Sequence, residues 1–345
     1  FTLGYMCAQG QDVLVDKDSF KMGSRFCNKV WNASRYILGN LEGRTLVPVC
    51  DSDLTELDKW IYSCLDRAVR EAKSAFEGYR YNEGASALYE YFWYDFCDWY
   101  VEATKLSFRN GDENEKNRAV SVLLNVLEES LRLMHPYLPF VTEEIYGKLP
   151  LAEIVSNRTA AGKQSILASE EYKGLLVDAP YPEPVGAREN SSITARFAVL
   201  QELIRNIRGL RAECGLDPAA KLHIAVNITA GSSAEVIREK TDMIELLAGV
   251  SAIDFTDSTP QKSIGSVGDG FEAFLLVDES INKEQLVARF NKEIAAEQVS
   301  VKKSEAKLSG KFVENAPADV VQAERDKLEA SRRRIEKLVS YVKSL

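Results

Sequence analysis

Apolar residues recur every three to four positions through most of the first 149 residues, which is the period of an amphipathic α-helix. The first run, over residues 19–41, has on one stripe Phe20, Phe26, Val30, Ile37 and Leu38. The second run, after Asp51 or Ser52 as a possible N-cap, contains Leu54, Leu57, Trp60, Ile61, Leu65, Ala68, Val69 and Phe76. A third helix at about 82–107 is rich in aromatic residues, whose helical spacing indicates a packed core. A fourth helix ending near 134 and a short one ending near 148 complete a predicted helical bundle over residues 1–149.

The pattern changes after residue 149. Residues 150–190 contain Pro180, Pro182 and Pro184 and are predicted to be a linker. Residues 191–280 alternate between helical and strand patterns and are predicted to form a small α/β domain. Its predicted helices lie at 193–214 and 232–248, and its predicted strands at 222–228, 252–256, 262–267 and 271–277.

The last segment, residues 281–345, shows two apolar heptad series. The first consists of Val287, Ile294, Val301 and Leu308, and the second of Val321, Leu328, Ile335 and Val342. Each series gives a helix one apolar seam, which can be buried only against a partner helix. The connection suits a helix start, with Asn315 as N-cap and Pro317 in the first turn. We predict an antiparallel coiled-coil hairpin, with arms about 40 Å long at 1.5 Å per residue. The predicted fold class is therefore mainly α.

The charge is unevenly distributed. The chain has a formal net charge of −9, which argues against a general nucleic-acid binder. Residues 282–345, however, carry 14 Lys and Arg against 10 Asp and Glu, and residues 17–44 carry six against two. Two basic regions on an acidic body suggest contacts at separated points of a polyanion. For either region alone, a solvated helix face remains the simpler interpretation.

Three further observations bound the class of protein. The chain has no apolar run long enough for a membrane span. Its six cysteines form no C-x-x-C pair, which favours reduced structural thiols over zinc ligands. The sequence begins in mid-pattern with FTLGYMCAQGQD, so we expect it to be part of a larger protein.

A family resemblance comes from residues 307–328, KLSGKFVENAPADVVQAERDKL. This segment resembles the turn of the C-terminal arm of bacterial valyl-tRNA synthetases, K-L-x-x-x-F-x-x-N-A-P-x-x-V-V-x-x-E-R. The matching positions are Leu308, Phe312, Asn315, Ala316, Pro317, Val320, Val321, Glu324 and Arg325. A generic coiled coil would share the heptads but not this turn.

A second resemblance lies in residues 25–41, RFCNKVWNASRYILGNL. They resemble the first helix of the anticodon-binding bundle of class I synthetases for aliphatic amino acids. The resemblance implies an anticodon-binding face formed by Lys29, Asn32, Arg35 and Tyr36, which also fit one helical face. A cation, an amide, a guanidinium and a ring suit single-stranded RNA loops. An ordinary amphipathic helix with a wet polar face is the alternative.

Residues 131–146, LRLMHPYLPFVTEEIY, resemble a third segment of the same bundle, with Tyr146 where a Trp is more usual. His135 has no nucleophile or carboxylate near it in sequence, and we predict that it stabilises a turn. The motif KMGS at 21–24 lacks the central lysine of the ATP-binding K-M-S-K-S loop, and no H-I-G-H motif is present. The resemblance therefore implies no catalytic residue, cofactor or metal on this chain, with ATP used by a larger parent enzyme.

The resemblance covers the whole chain and implies the tRNA-recognition portion of a valine–tRNA ligase. The bundle would read the anticodon of tRNA(Val), and the hairpin would brace the tRNA elbow. The candidate elbow-binding residues are Lys303, Lys307, Arg325, Arg332, Arg333 and Arg334. A cytoplasmic, monomeric protein with no membrane contact is expected. Isoleucyl enzymes typically end in a zinc-binding C-x-x-C module, which this chain lacks. The alternative function is a protein–protein scaffold with a coiled-coil interaction arm and no RNA partner.

Overall fold

The computed structural model describes residues 1–8, 10, 12–13, 15–163, 174–229, 232–277, 281–310, 313 and 316–345. The chain divides into two compact units, Phe1–Phe197 and Ala198–Leu345. Helices dominate, with one small sheet and a long helical pair, so the predicted mainly α fold class is confirmed. None of the helices in the described ranges combines the length and the apolar character needed to cross a bilayer.

The first unit is a helical bundle. Its helices are α1 (Thr2–Met6), α2 (Phe20–Gly39), α3 (Glu56–Glu77), α4 (Tyr81–Tyr89), a π-helix (Glu90–Val101), α5 (Lys105–Asn110), α6 (Glu113–Met134), α7 (Pro139–Tyr146) and α8 (Leu151–Ala160). Short 3₁₀ turns lie at Asp51–Asp53, Leu176–Asp178 and Gly186–Arg188. Helix α8 falls inside the stretch that was predicted to be a linker.

The N-terminus of α3 differs from the prediction. Asp51 and Ser52 belong to the preceding 3₁₀ turn, and the N-cap is Thr55. The Thr55 hydroxyl accepts the N–H of Asp58, and the Asp58 carboxylate accepts the N–H of Thr55 at 2.9 Å. This reciprocal capping box satisfies two N–H groups that have no partner within the helix. The predicted apolar stripe of α3 is confirmed, because Ile61, Leu65 and Val69 are fully buried.

The predicted third helix is interrupted by an unusual segment. Between α4 and α5 the chain forms a 12-residue π-helix, whose hydrogen bonds span one residue more than those of an α-helix. Its rings Tyr91, Phe92, Phe96 and Tyr100 are buried, which confirms that these aromatics form core. The wider turn changes which side chains share a face, so the π-helix could not be derived from a 3.6-residue period.

A buried ionic cluster ties the end of the unit to its bundle. Glu128 is fully buried and accepts hydrogen bonds from Arg132 at 2.7 Å and from Arg158 at 2.8 Å. Burial alone would raise the pKa of Glu128, but the two guanidinium groups outweigh it and hold the pKa below its usual value. Beside it, Glu129 pairs with Arg188 at 2.7 Å. The segment 174–190 is therefore fastened along the bundle.

The second unit contains most of α9 (Ser191–Glu213), followed by a small sheet and its helices. These elements are β1 (Leu222–Ile228), α10 (Val236–Glu239), α11 (Thr241–Ala248), β2 (Val250–Phe255), β3 (Ser263–Gly268) and β4 (Phe271–Leu276). Helix α9 ends at Glu213, close to the predicted stop at Gly215, whose φ of +63° is unfavourable for other residues. The predicted strands are all present: β1 has the predicted bounds, and the bounds of the other three differ by at most two residues.

The sheet order is β2-β1-β4-β3. Strands β1 and β2 are parallel and are joined by the crossover through α10 and α11, whereas β4 is antiparallel to both of its neighbours. Two arginines of α9 bind the end of α11. Arg208 donates to the Leu247 carbonyl at 2.6 Å and Arg211 to the Ala248 carbonyl at 2.6 Å. These carbonyls lack partners within α11, so the arginines cap it.

The chain closes with α12 (Lys283–Leu308) and α13 (Ala318–Ser344), which pack side by side as an antiparallel hairpin. Pro317 directly precedes α13, and the predicted cap Asn315 lies outside the described residues. The predicted heptad positions are buried or half-buried, but other positions form the centre of the seam. The most deeply buried side chains of the hairpin are Leu286, Phe290, Ser304, Val321, Ser331, Leu338 and Tyr341.

Candidate nucleic-acid interface

The exposed face of α2 carries amides and a guanidinium without any carboxylate. The helix buries Phe26, Val30 and Ile37 completely, which turns Asn32 and Arg35 toward solvent. No hydrogen bond or ion pair joins either Asn32 or Arg35 to another residue in the described ranges. Because α2 contains no Asp or Glu, nothing on the helix neutralises Arg35. Both side chains are therefore available to a ligand.

Lys29 is held by two residues of the π-helix. Its Nζ donates to Asp98 Oδ1 at 2.6 Å and lies 5.3 Å from the centroid of the Trp93 ring. The Lys29 side chain is still 30% exposed, so the pair borders solvent. A phosphate that binds this ammonium would have to compete with the Asp98 carboxylate.

Tyr36 is half-buried at the end of the same face. The Lys105 Nζ lies 5.6 Å from the Tyr36 ring centroid and pairs with Glu102 at 2.6 Å. Burial raises the pKa of Tyr36, so its phenol remains neutral at physiological pH. The four predicted anticodon residues thus lie on one helix, but Lys29 and Tyr36 have protein partners, while Asn32 and Arg35 have none among the residues that the structure describes.

Two cations beside this face were missed by the sequence reasoning. Lys105 reaches Tyr36 from the start of α5, and Arg44 lies after α2 with its guanidinium 5.1 Å from the Phe108 ring centroid. About 70 residues separate Tyr36 from Lys105 in sequence. A local sequence pattern could not predict that Lys105 lies beside Tyr36, because this contact depends on the path of the helices between them.

His135 has a structural environment. Its Nδ1 lies 2.8 Å from the Thr142 hydroxyl, which itself donates to the Leu138 carbonyl at 2.8 Å. Burial lowers the pKa of His135, which favours the neutral imidazole. These contacts join the end of α6 to α7 and agree with the prediction that His135 stabilises a turn.

The six candidate elbow residues lie on different sides of the hairpin. Ser304 faces α13 through a hydrogen bond of 2.6 Å to Glu324, so Lys303 and Lys307 fall on one side of the seam and Glu305 on the other. Arg332 pairs with Glu305 at 2.7 Å and marks that other side. Arg334, two positions further, points about 200° away from Arg332. The structure therefore groups Lys303, Lys307 and Arg334, separately from Arg325 and Arg332.

Several of these cations already have carboxylate partners. Lys307 pairs with Glu324 at 3.1 Å, and Arg333 forms an ion pair with Glu329. Lys303 and Arg325 have no ion pair within the described part of the chain. Exposed pairs of this kind contribute about 0–1 kcal/mol each, so a polyanion can displace the carboxylates at little cost.

Arg334 also belongs to the base of the hairpin. Its guanidinium pairs with Glu293 at 3.1 Å and with Glu213 of α9 at 3.3 Å. Lys337 and Tyr341 donate to the same Glu213 carboxylate at 2.8 and 2.9 Å. Burial acts to raise the pKa of Glu213, but these donors outweigh it and lower the pKa. The network fastens α13 to α9.

Comparison with known proteins gives two family matches. Residues 58–226 match the anticodon-binding domain of tRNA ligases, and residues 282–345 match the valyl tRNA synthetase tRNA binding arm. The second match coincides with the α12–α13 hairpin. The first match includes the resemblance at residues 131–146 but begins after the one at residues 25–41, and the second match agrees with the resemblance at residues 307–328.

Curated relatives are similar over essentially the whole chain. The valine–tRNA ligase of Treponema denticola is 51% identical over 354 residues, covering 100% of this chain and 38% of that protein. The ligase of Treponema pallidum is 44% identical, covering 99% and 37%, and that of Thermotoga maritima is 32% identical, covering 100% and 37%. The chain thus spans less than two fifths of the length of these relatives. With an anticodon-binding domain and a tRNA-binding arm in one chain, this protein belongs to the valyl-tRNA synthetase family.

Proposed function

We propose that this chain is the tRNA-recognition part of a valine–tRNA ligase. The whole enzyme would use ATP to join valine to tRNA(Val) and would edit misactivated threonine, with both reactions carried out by other parts of that enzyme. The observation that carries the proposal is the combination of an acid-free α2 face and a basic helical hairpin in one chain that matches both tRNA-binding families. We further propose that the protein acts in the cytoplasm as a monomer.

The bundle reads the anticodon through Lys29, Asn32, Arg35 and Tyr36 in this proposal. Asn32 and Arg35 have free donors that suit base edges and phosphates, and the half-buried Tyr36 offers part of a ring for stacking. Lys29 would exchange Asp98 for a phosphate. Supporting this assignment, Asn32 and Arg35 lie one helical turn apart on the same exposed face.

The hairpin braces the elbow of the tRNA through its backbone, so it adds affinity without reading sequence. The candidate contacts are Lys303, Lys307, Arg325, Arg332, Arg333 and Arg334. The burial of Phe290, Leu338 and Tyr341 between the two helices supports an intramolecular hairpin. That burial argues against the alternative of a scaffold that dimerises through this seam.

The experiment that tests the proposal is a titration of the chain with tRNA(Val) over a range of salt concentrations, for the wild type and Arg35→Ala. The variant should bind about 1–3 kcal/mol more weakly and discriminate less against an altered anticodon. Arg238→Ala removes an exposed arginine elsewhere and is the matched control. Wild-type protein that bound no tRNA, or an Arg35 variant with full anticodon selectivity, would contradict the proposal.

A further inference from the structure

We propose that nucleic acid binds one specific flank of the α12–α13 hairpin, which we name the lysine flank. This inference rests on the proposed tRNA function and specifies which surface of the hairpin contacts the RNA. On α12 the flank comprises Lys292, Ala296, Val299, Lys303 and Lys307. On α13 it comprises Val320, Ala323, Lys327, Ala330, Arg334 and Lys337. Within each stripe the residues are three or four positions apart, so they share one side of their helix.

Two ion pairs between the helices place both stripes along the same side of the seam. Arg334 of α13 reaches Glu293, the neighbour of Lys292, near the base of the hairpin. Lys307 of α12 reaches Glu324, the neighbour of Ala323, near the other end. The opposite side is bridged by Arg332 and Glu305. The two stripes therefore form one continuous surface.

The charge of the lysine flank is of one sign. Its eleven positions contain six Lys and Arg and no carboxylate. The opposite flank mixes Arg325 and Arg332 with Glu305, Glu329 and Glu336. Two carboxylates border the flank on the outer surface of α13: Asp319, four positions before Ala323, and Asp326, which accepts a hydrogen bond from Gln322 at 2.8 Å. Lys307, Arg334 and Lys337 already pair with the carboxylates of neighbouring residues. The other three cations, Lys292, Lys303 and Lys327, have no ion pair among the described residues, and a phosphate backbone is attracted most strongly to them.

The same flank exposes apolar side chains. Val299 is 52% exposed and Val320 is 44% exposed, and these are the large hydrophobic residues of the described hairpin that lie most open to solvent. Between the cations stand Ala296, Ala323 and Ala330, whose short side chains let a partner approach the helices closely. Lysines with apolar gaps between them suit a ligand that presents phosphates and less polar sugar or base surfaces together. An acidic protein would satisfy the charges but would leave the valines exposed.

The test uses two matched double variants of the intact chain. Lys303→Gln with Lys327→Gln removes two charges from the lysine flank, and Lys302→Gln with Lys343→Gln removes two charges from hairpin positions outside that flank. All four side chains are exposed and lack ion pairs among the described residues. The flank variant should bind tRNA(Val) about tenfold more weakly and reduce the salt slope by about 2, while the control should change affinity by less than about twofold.

A second pair of variants tests the apolar contact. Val299→Glu introduces a carboxylate in the centre of the lysine flank and should weaken tRNA binding more than Gln298→Glu, which lies on the neighbouring side of α12. Both residues are exposed, so far-UV circular dichroism should show equal helix content.

The outcomes separate this inference from the proposed function. If the wild type binds tRNA and both double variants lose affinity equally, the assignment of binding to the lysine flank is wrong, although the proposed tRNA function stands. If the wild type binds no tRNA, the proposed function fails first. If the flank variants weaken binding of polyglutamate but not of tRNA, the surface serves an acidic protein and the inference is overturned.

Discussion

The bundle and the hairpin use the same ionic groups in opposite ways. In the bundle, Glu128 is completely buried and is held by two guanidinium groups. In the hairpin, Arg332 and Glu305 form an ion pair at 2.7 Å with both side chains about half exposed. A buried pair fixes geometry because a lost partner leaves an uncompensated charge, whereas an exposed pair is easily exchanged. The buried ion pairs therefore fix the geometry of the bundle, whereas the exposed ion pairs of the hairpin can open and leave their cations available to a ligand.

The largest expected effect tests the buried half of this comparison. Glu128→Gln should lower the free energy of unfolding by about 3–5 kcal/mol, because Arg132 and Arg158 would remain charged without their partner. Urea denaturation of the intact chain measures this loss. Glu305→Gln in the hairpin is the matched control and should cost less than about 1 kcal/mol. Equal losses would remove the distinction between the two regions.

An effect of about 3 kcal/mol is expected at the base of the hairpin. Phe290→Ala would leave a cavity beside Tyr341, since the two ring centroids are 5.6 Å apart and Phe290 is fully buried. The loss should be visible as faster amide hydrogen exchange in α13, with the bundle unaffected. Val301→Ala, at a half-buried position farther along the seam, should cost about 1 kcal/mol. A larger effect at Val301 would place the stability of the hairpin away from its base.

The smallest effect concerns pH. The folded state lowers the pKa of Glu213, so the contribution of its carboxylate is present above the unfolded pKa, about 4.3, and is lost as the pH falls through the folded value. Protection of α13 against hydrogen exchange should therefore be steady near neutral pH and decline in acid. Glu213→Gln should flatten that decline, whereas Glu336→Gln, an exposed glutamate of α13, should not. Identical acid profiles for the wild type and Glu213→Gln would refute the assignment.

Periodic patterns predicted the elements well where burial follows one regular helix or strand. The stripe of α3 and strand β1 lie where the sequence placed them, because each buries a single face. The π-helix could not be predicted, since its aromatic residues fit a 3.6-residue period equally well. Likewise, the heptads located the hairpin but missed Phe290 and Leu338 at its base, because only one of the two seam positions per heptad was followed.

The candidate interface shows a similar division. One helix holds Asn32 and Arg35, so spacing alone could put them on a common face. The pairing of Lys29 with Asp98 depends on the register of the π-helix, and that of Arg334 with Glu213 depends on how the hairpin packs on α9. Both are contacts between residues at least 69 positions apart. Such contacts decide which cations are free, and therefore which flank of the hairpin is open to a ligand.

The seam of the hairpin has a mechanical consequence. Its bulky side chains, Phe290, Leu338 and Tyr341, lie at the base, while Ser304 and Ser331 occupy the seam farther out. When a rod that is fixed at one end is pushed at its free end, the bending moment is largest at the fixed end. The bulkiest side chains of the hairpin therefore pack at its base, where resistance to bending matters most. Over an arm of about 39 Å, a tilt of about 5° at the base displaces the tip by about 3 Å, roughly the length of a hydrogen bond. The packing of a few side chains at the base of the hairpin therefore sets how accurately the distant lysines are positioned for a ligand. Two proteins with identical residues at the tip of the hairpin could differ in affinity because their bases pack differently.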